Sequence, residues 1–129
     1  MKSRNKYYNP NPAKKETGDC VVRAICAATG MSWDDVFTGL CSVAFRMKSM
    51  PSCKSAYGEY LTELGFSRTP ISNKKGSKRP TVDEMAKRSK DGVVYVCEVA
   101  GHLVTARDGA YLDLWECGHK SLYGYWTKN

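Results

Sequence analysis

The last third of the chain limits its fold more than any other feature. Val93-Val94-Tyr95-Val96-Cys97-Glu98-Val99 is β-branched and aromatic, the pattern of a mostly buried strand. Ala100-Gly101 can turn it, and residues 102–107 and 110–115 form two further extended runs. Between those runs lies Asp108-Gly109, a strong two-residue hairpin signal. Residues 122–126 predict a fourth strand. Upstream the period changes. Val21, Ala24, Ile25 and Ala28 fall at i, i+3, i+4 and i+7, which predicts a helix starting near Asp19-Cys20 and ending at Thr29-Gly30. Ser32-Trp33-Asp34-Asp35 starts a second helix, with a stripe of Trp33, Val36, Phe37, Leu40 and Ala44. A third spans about Lys54 to Leu64, with Tyr57, Tyr60, Leu61 and Leu64 inward and Gly65 as its stop. Thr81 and Glu84 form a capping box for a short fourth helix. Helices first and a meander after is an α+β fold, N-terminal helices packed on a C-terminal antiparallel β-meander, and not an alternating βαβ fold.

The chain has 129 residues, one domain's worth. Residues 1–17 read as a basic extended arm, since Asn9-Pro10-Asn11-Pro12 resists regular structure. Residues 18–129 read as a single domain, helical over 18–90 and sheet over 91–129. No apolar run reaches the ~20 residues of a membrane span. The basic start has no apolar segment behind it, so no secretory signal is read. A cytoplasmic, reducing compartment is expected, with the six cysteines free.

The net charge of +7 is unevenly placed. Residues 1–15 carry Lys2, Arg4, Lys6, Lys14 and Lys15 and no acid. Residues 68–90 are also strongly basic, and Lys74, Lys75, Lys78, Arg79, Lys87 and Arg88 define a candidate basic face for an acidic protein or nucleic acid. The chain carries no nucleic-acid-binding motif, and a solubilising surface is the simpler reading. Residues 91–117 are net acidic.

The hairpin fixes a register, and the register suggests chemistry. Counting back from the turn pairs Arg107 with Ala110, Thr105 with Leu112, Val104 with Asp113 and His102 with Trp115. His102 and Asp113 become diagonal neighbours on one face, about 7–8 Å apart by Cα and closer at their tips. A carboxylate there orients an imidazole and stabilises its charged form. Cys20 lies in the first turn of a helix, where free N–H groups and the helix dipole favour a thiolate. Packed together, Cys20, His102 and Asp113 would make a nucleophile, a general base and acid, and an orienting group, with the Cys20 N–H facing an oxyanion. Asp19 reads as an N-cap, Asp108 as turn chemistry, and Trp33, Trp115 and Trp126 as core or groove wall. The other five cysteines read as inert. Zinc is disfavoured: no C-x-x-C occurs, Cys97 and His102 are expected on opposite faces of their hairpin, and Cys117-Gly118-His119 is a lone pair. No metal or cofactor is expected.

Gly18-Asp19-Cys20-Val21-Val22-Arg23-Ala24-Ile25, with Thr29-Gly30-Met31-Ser32-Trp33-Asp34, resembles small phage-associated and bacterial proteins of the papain-like cysteine peptidase superfamily. So do Gly101-His102-Leu103-Val104, Asp108-Gly109 and Leu112-Asp113-Leu114-Trp115. The resemblance spans about residues 9–126. It implies a minimal papain-like fold, with the nucleophilic Cys beginning a helix packed on a sheet and His and its partner on adjacent antiparallel strands. It implies a cysteine hydrolase acting on an amide or isopeptide bond of a protein or peptide. Such proteins carry a Gln or Asn shortly before the Cys as an oxyanion donor. Here Lys14 stands six residues before Cys20, leaving Asn11, and next Asn9, as candidates. The alternative is a non-enzymatic phage-type effector or inhibitor on the same scaffold, binding an acidic partner or nucleic acid through its basic face.

Overall fold

The computed structural model describes residues 3–72, 78–89 and 92–128. Its elements run β1 (Asn5–Tyr7), α1 (Cys20–Thr29), α2 (Trp33–Met47), α3 (Lys54–Glu63), β2 (Phe66–Pro70), α4 (Val82–Arg88), β3 (Tyr95–Val99), β4 (His102–Arg107), β5 (Ala110–Asp113) and β6 (Gly124–Lys128). The fold is α+β. One six-stranded sheet has the order β1-β5-β4-β3-β6-β2.

This is wider than the expected meander. The segment read as an extended arm contributes β1, which pairs parallel to β5 with Asn5 opposite Tyr111 and Tyr7 opposite Asp113. The sheet is therefore mixed. The part read as helical, residues 18–90, also contributes β2, antiparallel to β6. Both unanticipated strands lie at the edges, where one neighbour suffices and a full hydrophobic alternation is not required.

The local signals explain the rest. Gly30 ends α1 in the left-handed conformation (φ 79°), and Ser32 caps α2 by accepting from the Asp35 N–H. The Thr81–Glu84 box is complete on both sides. Asp108 and Gly109 both have positive φ, 53° and 80°, as a type I′ hairpin requires. The resulting β4–β5 register pairs Arg107 with Ala110 and Thr105 with Leu112, as counted from the turn.

Two apolar clusters flank the sheet. On one side α1, α2 and α3 bury Val21, Ile25, Val36, Leu40, Tyr57 and Leu61 against Phe66, Val96, Leu103 and Trp126. On the other, Val82, Met85 and Ala86 of α4 cover Cys97, Val104, Ala106 and Tyr111. Phe37, expected in the α2 stripe, is 40% exposed and stacks on Trp33 with ring centroids 4.9 Å apart. The buried stripe of α2 is Val36, Leu40, Val43 and Ala44.

The helices α2 and α3 meet closely at Gly39. A Cβ there would lie 2.5 Å from the Tyr60 hydroxyl, and Tyr60 is itself buried. Gly39→Ala is expected to cost about 1–2 kcal/mol, overpacking outweighing the gain in helix propensity. A chemical-denaturation midpoint reads this, and an unchanged or raised midpoint contradicts the close approach.

Candidate active site

Helix α1 lies along β4 and runs in the same direction. Thr105 Oγ1 donates to the Ala24 carbonyl at 2.6 Å, and the Arg107 guanidinium donates to the Ala27 carbonyl at 2.8 Å. Stepping back along both elements brings the first residue of α1, Cys20, level with the start of β4, where His102 stands. The helix covers the face bearing Leu103 and Thr105, not the face bearing Val104. Cys20 reaches His102 because both lie at the same end of their elements.

His102 Nε2 is 2.5 Å from Asp113 Oδ2. This leaves Nδ1 as the ring nitrogen available to Cys20. Asp113 is 1% exposed, and every lone-pair direction is engaged. Its Oδ1 accepts from the Arg23 guanidinium at 3.0 Å and from the Leu114 N–H at 2.7 Å. Its Oδ2 takes His102 and the Cys117 thiol, the latter at 3.3 Å.

Arg23, 2% exposed, extends the network. It donates to Asp19 Oδ1 at 2.5 Å, and the Trp33 indole donates to Asp19 Oδ2 at 2.9 Å. Asp19 stands at the N-cap, as expected, but its side chain makes no capping bond. The first bond of α1 runs from the Arg23 N–H to the Asp19 carbonyl. The N–H groups of Cys20, Val21 and Val22 thus have no partner within the helix. Charges alternate along the chain of contacts from Asp19 through Arg23 and Asp113 to His102, beside which Cys20 stands.

The electrostatics follow from these contacts. Burial pushes the Cys20 thiol up, but hydrogen bonds with His102 and the Leu103 backbone and the charges of His102 and Arg23 bring it below the ordinary value. Burial works against a charged His102, but hydrogen bonds with Asp113, Cys117 and Cys20 and the Asp113 charge push it up to about 11. Burial also opposes the Asp113 charge, and the His102 bond and charge outweigh it, holding the carboxyl below its usual range. Three other thiols move the opposite way: burial raises Cys26 to about 11 and raises Cys97 and Cys117. The described residues show no disulfide.

Cys20 and His102 line one cleft of about 510 Å³. Trp115 forms its wall, 51% exposed, with its ring 5.3 Å from the imidazole. Asn11 does not line this cleft. Its Oδ1 accepts from the Ala13 N–H at 2.8 Å, while Asn9 accepts from the Asn11 N–H and donates to the Lys15 carbonyl. Both asparagines serve the turn leading to α1, and the oxyanion donor the geometry offers is the Cys20 N–H.

Sequence reasoning missed Arg23 and Cys117 as members of the centre. Arg23 lies opposite the Val21–Ala24–Ile25–Ala28 stripe but is the one charged residue in an otherwise apolar α1, all of which is buried from Val21 to Ala27, where a cation is rare without a partner. That was the one available signal. Cys117 carried none. The zinc argument also needs correction. Val99 pairs with His102 and Cys97 with Val104, so Cys97 and His102 share a face. Cys97 is buried under α4, whereas Cys117 comes close. The donor atoms of His102, Asp113 and Cys117 lie within 4.8 Å of one another. The Arg23 cation on the same carboxylate and the direct His102–Asp113 bond already fill the roles a metal would take.

The basic residues do not gather at this cleft. Lys74 and Lys75 lie outside the described residues. Lys78 is exposed, and Arg79 stacks over Tyr123 at 4.8 Å. Lys87 and Arg88 are exposed in the last turn of α4, where they complement the helix dipole, and Asp83 and Glu84 stand in its first turn. No helix among the described residues is long and apolar enough to cross a membrane. No known protein family, curated protein or solved structure matches the chain.

Proposed function

We propose that this protein is a cysteine hydrolase of minimal papain-like design, cleaving an amide or isopeptide bond in a protein or peptide. One observation carries the reading: Cys20 and His102 wall the same cleft, and His102 is held 2.5 Å from a buried carboxylate. The Cys20 thiolate attacks the carbonyl carbon, forming the C–S bond, and the carbonyl oxygen takes the charge facing the Cys20 N–H. Imidazolium His102 gives its proton to the leaving nitrogen as the C–N bond breaks. Neutral His102 then takes a proton from water, which attacks the thioester and releases the acid and the thiolate. Asp113 holds the ring in place and stabilises its charge. A resting thiolate of this kind requires reducing surroundings.

The test is hydrolysis itself. A mixed peptide pool is incubated with the protein in reducing buffer, and new termini are read by mass spectrometry. The unaltered chain is expected to generate new termini and Cys20→Ala none. Identical termini from both, or none from the unaltered chain, overturns the reading.

A further inference from the structure

The catalytic cleft lies where three elements begin: α1 at Cys20, α3 at Lys54 and β4 at His102. Besides Cys20, the charge-bearing side chains that line it are Arg23, Lys54 and His102, all cationic. No carboxylate lines it among the described residues. The His102 imidazolium offsets the Cys20 thiolate, and Asp19 and Asp113 share the Arg23 charge. Lys54 is the cation whose charge the centre does not use.

The fold gains little from Lys54. Its side chain is 57% exposed, and it opens α3, where a positive charge opposes the helix dipole. It pairs with Glu98, Nζ to Oε1 at 3.4 Å. That carboxylate is already satisfied: Arg68 donates to both its oxygens at 2.8–3.1 Å, and the Trp126 indole donates at 2.6 Å. Three residues on, Tyr57 lines the same cleft and is only 9% exposed, yet its hydroxyl makes no hydrogen bond among the described residues. Burial and the Glu98 charge push that hydroxyl up to about 12, so it remains a donor at neutral pH. The Cys20 charge also reaches it.

We infer that Lys54 and Tyr57 form an anion-recognising pole of the cleft, so that the preferred substrate carries a carboxylate beside the bond that is cleaved. The inference rests on the proposed hydrolase reading and names the substrate class. Charge complementarity supplies the argument: an ammonium and an unspent hydroxyl donor stand in a cleft without acids, and both donate to a carboxylate. The carboxylate belongs to an acidic side chain or to the end of a chain.

The test uses three alkylating probes that differ only in where a charge sits. N-iodoacetyl-glutamine carries a terminal carboxylate, N-iodoacetyl-isoglutamine a side-chain carboxylate, and N-iodoacetyl-glutaminamide none. Each reacts by displacement, the thiolate forming a C–S bond as iodide leaves. Rates at Cys20 are read by mass spectrometry and divided by the rates of the same probes with 2-mercaptoethanol, a neutral thiol. In the unaltered chain at least one acid is expected to exceed the neutral amide by about fivefold, the upper end for an ion pair at a partly exposed site. The faster acid identifies the source of the carboxylate. In Lys54→Met the advantage falls to near one, and Tyr57→Phe lowers it. Lys48→Met removes the same charge from an exposed site over the Phe45 ring and leaves the advantage unchanged. An advantage that survives Lys54→Met or Tyr57→Phe overturns the pole, as does one lost equally in Lys48→Met. Fast labelling by the neutral amide with no acid advantage overturns the pole and leaves the hydrolase reading standing. Slow labelling of Cys20 by all three probes overturns both readings.

Discussion

His102→Ala is expected to lower hydrolysis by about 10²–10⁴-fold, the range for losing a general acid and base. It should also move the pH at which Cys20 becomes reactive. In the unaltered chain Cys20 ionises below the ordinary thiol value, and His102 holds its proton up to about 11. Between those limits the pair is thiolate and imidazolium. As pH falls through the Cys20 value the thiolate is protonated, and as pH rises through about 11 the imidazolium is lost. With His102 removed, a hydrogen bond and a positive charge disappear while burial remains, so the thiol moves up. Alkylation of Cys20 against pH therefore shifts to the alkaline side in His102→Ala. Asp113→Asn shifts it in the same direction, because His102 loses the partner that raises it. A Cys20 profile unchanged by His102→Ala would show that the imidazole does not activate this thiol.

The second large effect concerns stability. Arg23→Met leaves Asp19 and Asp113, both buried, without the guanidinium between them. Breaking a buried pair costs about 3–5 kcal/mol, and here one cation serves two carboxylates. The thermal midpoint should fall by more than about 10 °C. Adding Asp19→Asn should recover part of that loss, because it removes one of the two uncompensated charges. A midpoint within about 2 °C of the unaltered chain would mean that the buried network adds little to folding. Arg23→Lys should fall between, keeping the charge and losing the fork that reaches both oxygens.

The parts of this molecule that were legible in the sequence are those whose cause is local. Ser32, Thr81 with Glu84, Gly30, and Asp108-Gly109 each fix a boundary through their own backbone or capping chemistry. The hairpin then fixed which residues of β4 and β5 stand together, so His102 and Asp113 could be paired from the turn alone. What escaped depends on distant partners. Asn5–Tyr7 has no apolar alternation and becomes a strand only because β5 offers it an edge. Phe66–Pro70 has one buried residue and depends on β6 in the same way. Arg23 is intelligible as a buried cation only when Asp113, ninety positions away, is placed beside it. Asn11 was chosen for residue type and proximity to Cys20 in the chain. Its Oδ1 serves its own turn and the residue does not line the cleft, which a count of positions does not reveal.

The parallel pairing of β1 with β5 has a consequence for how the centre comes into being. Tyr8 donates its N–H to the Asp113 carbonyl at 3.2 Å, and Arg4 bonds to the Gly109 carbonyl. The backbone that carries the carboxylate beside His102 is thus held by residues 105 positions earlier in the chain. Contacts of such long sequence separation form late, since the loop between them must close first. Until β4 has docked beside α1, Cys20 lacks His102 and the Leu103 backbone, which lower it. The lowered Cys20 thiol is in this sense a report that the sheet has closed. An unfolded copy presents the same cysteine without those neighbours.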